Sequence, residues 1–127
     1  MERAVLSMIL AAAATSAALA ETVCMDAAEM EASLIDWYGE APVRGAKAKD
    51  QQLWASDATG TWTLMQLNSD GTACVLGQGQ NWSGSGDPLV ALRRSLDKSD
   101  GAVTTEVTAF MALLSADRQD MAARRDP

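Results

Sequence analysis

Thr61 to Leu76 read TWTLMQLNSDGTACVL, and this stretch decides the fold. Its first seven residues, rich in Thr, Trp and Leu, suit a pleated surface packed on its faces. Asn68-Ser69-Asp70-Gly71 is a polar break ending in glycine, which suits a hairpin turn, and Ala73 to Leu76 resumes as a strand. Asp57-Ala58-Thr59-Gly60 is a second break of the same form, with Gln52 to Ser56 as a strand-like run before it. The pattern predicts a three-stranded antiparallel meander over 52–56, 61–67 and 73–76.

Upstream, Met25 to Tyr38 reads as a helix, because Ala27, Met30, Leu34 and Trp37/Tyr38 recur at helical spacing. Asp26 stands where a carboxylate caps open amides; Gly39 is placed to terminate the helix, and Pro42 prevents its resumption. Met30 and Trp37 are expected in the core. Glu40 to Asp50, with Gly45 and three cations, reads as a polar connection. The expected fold is therefore α+β: an N-terminal helix followed by a three-stranded antiparallel meander. Five of the six aromatic residues lie between Trp37 and Trp82, which places the compact unit at 21–82.

Beyond it, 83–127 reads as a Ser/Gly linker over Ser83 to Asp87 and a helical segment. Asp87-Pro88 is a helix opening, with Leu89, Leu92 and Leu96 on one face. Gly101 ends that helix, and Thr104 or Thr105 opens another whose stripe is Val107, Phe110, Met111, Leu114 and Met121. These two amphipathic helices have no docking site fixed by the pattern. They cover the sheet, pack on each other, or leave the last helix free for a partner.

Residues 1–20 read as a secretory signal peptide. Arg3 supplies positive charge, Ala4 to Ala14 is an apolar run broken only by Ser7, and Ala18-Leu19-Ala20 fits cleavage after Ala20. The run is too short for a span, which needs about 20 apolar residues. The expected location is the periplasm or the exterior. The remaining 107 residues make one domain's worth of chain and keep the formal charge of −7, since Glu2 and Arg3 leave together. Arg93-Arg94 and Arg124-Arg125 sit among acids, so nucleic acid and anionic lipid are not expected partners. An unknown protein or envelope component is.

Export implies an oxidising compartment, and two cysteines allow one pairing, Cys24 with Cys74. The bond would staple the start of the helix to the third strand and withdraw both thiols from chemistry. Histidine is absent, which removes the commonest general base and metal ligand. Ser95-Leu96-Asp97-Lys98 spells S-x-x-K without its companion motifs, and a solvated helix end accounts for it. Gly77-Gln78-Gly79 begins like a dinucleotide fingerprint, but Trp82 holds the third glycine position, and a bulged strand end fits better. Asn68 to Gly71 lacks the terminal Glu of a calcium loop. Asn81-Trp82-Ser83 is a glycosylation sequon only in a eukaryotic host. Asp36, Glu40, Asp57 and Asp70 are the carboxylates that could pair as acid and base, with solvated surface as the plainer account. No catalytic residue, cofactor or metal site is expected.

Cys24, then Leu34 to Glu40 (LIDWYGE), Gly60 to Thr63 (GTWT), Asp70 to Cys74 (DGTAC), Gly79 and Trp82 together resemble small exported alphaproteobacterial proteins. The resemblance covers Cys24 to Trp82. It implies a periplasmic protein of undefined activity and transfers no catalytic residue. An enzymatic role such as S-adenosylhomocysteine hydrolysis requires a dinucleotide domain and catalytic histidines, and the residues do not support it.

The leading expectation is a non-catalytic interaction or structural protein, with Trp54, Trp62 and Trp82 as candidate binding surface if exposed and as core if not. A small-molecule or envelope-ligand module is the alternative. A hydrolase using carboxylates or Ser95-Lys98 ranks last.

Overall fold

The computed structural model describes residues 23–84, 86–98 and 104–125. The expected signal peptide and the Gly101 helix stop lie outside the described residues. In chain order the elements are β1 (Cys24–Asp26), α1 (Ala27–Tyr38), β2 (Ala41–Ala48), β3 (Gln51–Ala55), β4 (Trp62–Leu67), β5 (Thr72–Gly79), α2 (Pro88–Lys98) and α3 (Thr105–Arg125). The strands form one antiparallel sheet in the order β1-β5-β4-β3-β2. Strands β2 to β5 are a meander, and α1 carries the chain from one edge of the sheet to the other.

The fold is α+β, but its sheet has five strands rather than the three expected. The two missed strands are its edges. Met25 and Asp26 read as the start of a helix; with Cys24 they form a strand paired with β5, Cys24 opposite Cys74, and the helix begins only at Ala27, where Asp26 Oδ1 accepts from the amides of Ala28 and Glu29. Residues 41–48 read as a polar connection because of Pro42, Gly45 and their cations. Those are edge-strand traits: an edge tolerates proline and uses charge to deter pairing with other chains. Here Pro42 pairs with Trp54, the register shifts between Pro42 and Lys47, and only Ala46 is buried.

Each face of the sheet is covered. In β3 and β4, side chains alternate between the two faces, as the pleat requires. Leu53, Ala55, Trp62 and Leu64 join Ala46 and pack with Ala91 and Leu92 of α2 and Val107, Phe110 and Leu114 of α3; Trp82 closes that cluster. Trp54, Met65 and Ala73 face the other way and pack with Met30 and Leu34 of α1. The docking of the two C-terminal helices is thus fixed by apolar burial on one sheet face. Asp87 caps α2, accepting from Leu89 N at 2.8 Å, and pairs with Arg118 of α3, which joins the two helices. The Arg118 guanidinium holds the Asp87 carboxyl below the usual aspartate range.

Met30 is in the core as expected, whereas Trp37 is 83% exposed. Met121 of the α3 stripe is also exposed. Both sit in the last turns of their helices. Helical spacing decides which side a residue shares, not how far the surface beneath it extends.

Cys24 and Cys74 form the expected disulfide. It joins neighbouring strands at the β1 edge, flanked by backbone bonds from Val75 N to Val23 O (2.9 Å) and from Ala27 N to Gly71 O (3.0 Å). The loop it closes, with a sequence separation of 50, contains α1, β2, β3 and β4. Replacing both cysteines by serine should therefore lower unfolding stability by up to about 4 kcal/mol in the chain-entropy account. Urea unfolding followed by circular dichroism checks this, and an unchanged midpoint contradicts it.

Candidate functional site

α1 ends on Gly39, whose φ of +63° is a left-handed geometry that glycine adopts without strain. Its amide donates to Ile35 O at 3.1 Å, and the next amide, of Glu40, donates to Leu34 O at 2.9 Å. This reversal turns the chain back to the sheet and carries the Glu40 side chain inward, where it is 3% exposed. In front of it lies a groove of about 280 Å³. Tyr38 and Glu40 line it from the end of α1, Thr61, Trp62 and Thr63 from the start of β4, and residues 78–80 from the end of β5.

Two glycines in β5 make this corner possible. Trp62 lies opposite Gly79, and a Cβ on Gly79 would come within 2.7 Å of the Trp62 indole. A Cβ on Gly77 would come within 2.5 Å of Val107. The Gly77-Gln78-Gly79 run is thus a place where side chains press onto bare backbone. The irregularity expected there is a bulge, with the register shifting between Leu64 and Met65 opposite Gly77 and Val75.

The carboxyl of Glu40 belongs to a chain of hydroxyls. Thr61 Oγ1 lies 2.9 Å from Glu40 Oε2, Thr59 Oγ1 lies 2.9 Å from Thr61 Oγ1, and Thr59 Oγ1 lies 3.3 Å from Tyr38 O. Two hydroxyl protons serve these three contacts when Glu40 is ionised, so one contact lacks a proton. A protonated Glu40 supplies the third: it donates to Thr61, Thr61 to Thr59, and Thr59 to Tyr38 O. Burial acts in the same direction and pushes the Glu40 carboxyl above its ordinary 4.5, with the hydroxyls of Thr63 and Thr61 pulling the other way. Oε1 is buried without a hydrogen-bond partner, with the Thr63 hydroxyl nearby. Trp62 Nε1 is likewise buried and unpaired.

The structure places the three candidate tryptophans in the interior: Trp54 at 4%, Trp62 at 3% and Trp82 at 7% exposure. Trp54 packs beneath α1, and Trp62 and Trp82 pack beneath α2 and α3, so their area is used by the core. Of the three, Trp62 alone reaches the groove. The four carboxylates fall at separate points. Asp36 is exposed on α1, Asp57 is exposed between β3 and β4, and Asp70 accepts from Thr72 N and Oγ1 within its own turn. That leaves Glu40 as the one in the groove. Ser95 is buried and donates to Gln80 O, while Lys98 is exposed, so S-x-x-K presents no serine to a substrate. Among the described residues no group of three or more Cys, Asp or Glu could hold a metal ion, and no helix is long and apolar enough to cross a membrane.

Sequence reasoning singled out Glu40 only as one of four acids. The signal that sets it apart is its place directly after the αL glycine of α1, which turns a helix-end acid toward the sheet. Fold and site together define a small disulfide-closed α+β protein with a polar groove over a buried carboxyl. No protein-family model matches the chain, and no curated protein or solved structure matches it.

Two outcomes follow from this geometry. Gly79→Ala should destabilise the protein by about 1–3 kcal/mol through overpacking against a rigid indole; chemical denaturation measures it, and wild-type stability in the variant contradicts the contact. The second concerns pH. The folded protein holds the Glu40 proton more tightly than the unfolded chain, so this group's contribution is fully present below about 4.5 and is lost as pH rises through the raised value. Glu40→Gln keeps a donor toward Thr61 and removes the titration. Its melting temperature should vary less than wild type above pH 4.5 and equal or exceed it at neutral pH; superimposable melting curves across that range contradict the assignment.

Proposed function

We propose that this chain is a non-catalytic binding protein of the periplasm or exterior, and that the groove over Glu40 is where it takes a small ligand. The observation that carries this reading is the Glu40 carboxyl, almost wholly buried, with Oε1 unpaired, behind a groove of about 280 Å³. A buried polar atom without a partner is destabilising, commonly by about 1–3 kcal/mol, and one that borders a groove can be satisfied by a ligand entering it. Pockets that bind small molecules combine apolar walls with a few convergent polar groups, and this groove sets Tyr38 beside Glu40, Thr61, Thr63 and Gln78. The disulfide and the apolar, cleavable character of residues 1–20 support export. The resemblance of Cys24 to Trp82 to small exported proteins supports the same location.

A second reading, an interaction module for another envelope protein, draws on Trp37, which is 83% exposed beside the half-exposed Ile35 and Tyr38. Aromatic side chains presented this way favour interfaces.

Titration with a broad panel of cationic, neutral and anionic small molecules, read by tryptophan fluorescence and melting temperature, separates the two. Ligand binding at the groove gives saturable shifts that Gln78→Trp, a bulky change at an exposed groove position, removes and Trp37→Ser leaves intact. No shift across the panel overturns the groove reading and leaves the Trp37 surface as the functional face.

A further inference from the structure

We propose that the ligand of the groove is a small organic cation carrying N–H groups, a primary ammonium or a guanidinium, anchored by Glu40. This rests on the groove being a binding site and goes further by assigning the chemistry that fits it. The lining contributes one carboxyl, two threonine hydroxyls, Tyr38 and the Gln78 and Gln80 amides, and it holds no lysine or arginine. An anionic ligand would find no positive partner there and a protein of net charge −7 around it.

The unpaired oxygen narrows the class. Oε1 can accept whether Glu40 is ionised or protonated on Oε2, and it is buried without a hydrogen-bond partner. A ligand that satisfies it must bring an N–H or O–H. The last torsion of a glutamate is soft, so a small turn of the carboxyl presents Oε1 to the groove while Thr61 retains Oε2. A cationic donor makes this bond charge-assisted, roughly twice as strong as a neutral one. Tyr38 in the same wall adds attraction for a cation over a neutral amide, since a positive group is drawn to ring faces. A quaternary ammonium would gain the Tyr38 ring but leave Oε1 unpaired. The volume, about 280 Å³, suits a compact head group rather than a drug-sized molecule.

The test is a titration of the ¹⁵N-labelled chain, disulfide formed, with five probes in turn: propylammonium, methylguanidinium, tetramethylammonium, N-methylacetamide and acetate. Saturable amide shifts at Thr61, Thr63, Gln78 and Gly79 with propylammonium or methylguanidinium, and weaker ones with the other three, are the expected result. Glu40→Gln keeps an acceptor oxygen but removes the carboxylate charge, and it should weaken the cation by about ten-fold or more. Thr61→Val, which keeps the carboxyl but frees Oε2, should weaken it several-fold. Equal affinity in Glu40→Gln overturns the anchoring role. Preference for acetate or N-methylacetamide at the same amides overturns the cation assignment while the groove remains a binding site. No response at these amides to any probe overturns the cation assignment and the groove together.

Discussion

β4 lies at the middle of the sheet and is buried on both faces over its first four residues. Trp62 and Leu64 press toward α2 and α3, and Met65 presses toward α1. A sheet with one wet face needs a single cover; a central strand carrying large side chains on both sides needs two. The three-layer arrangement follows from that requirement. So does the fate of the tryptophans. Each aromatic ring buries a large area, and a chain of this size cannot leave three of them on the surface and still enclose both faces of its sheet.

The same strand explains why the groove sits where it does. At the start of β4 the large side chain is Trp62, and its indole leans over Gly79 of the neighbouring strand. The opposite face at that end carries Thr61 and Thr63, small and polar, and α1 stops at Tyr38 instead of covering them. Gly39 then directs a carboxyl into the gap. The disulfide acts at the β1 edge, holding β1 to β5, and β1 leads directly into α1. Cross-link and groove thus occupy different parts of the sheet, and the first supports the frame on which the second is built.

What was legible in the sequence tracks how locally each feature is determined. Three central strands, read at 52–56, 61–67 and 73–76 and found at 51–55, 62–67 and 72–79, were legible because their turns announce themselves through Gly60 and Gly71, both at positive φ. The disulfide could be read by counting. The edge strands could not, because an edge strand is defined by what it pairs with: β1 is three residues long and β2 carries proline and charge. Trp37 was assigned to the core by spacing from Met30, and spacing does not record where the sheet ends. Glu40 was visible only as an acid after a glycine. Its burial depends on Thr61, Thr63 and Gln78, which the chain brings together from two strands distant in sequence.

That last mismatch bears on function. Most local choices agree with the fold: caps are Asp26 and Asp87, turns carry glycine, the β2 edge carries cations, and the apolar faces of α1 and α3 meet the sheet. Gln51 Oε1 and the indole nitrogens of Trp54 and Trp62 are buried without partners, and Glu40 adds an ionisable group to these exceptions. A glutamine there would satisfy Thr61 without a titrating proton, and an alanine would remove the unpaired oxygen. A protein under selection for stability alone gains nothing from a buried carboxyl held short of one donor. Departures from local consistency of this kind gather at sites where the missing partner arrives from outside. Glu40 is such a departure within the groove, whereas the tryptophans that first draw the eye in the sequence are used by the core.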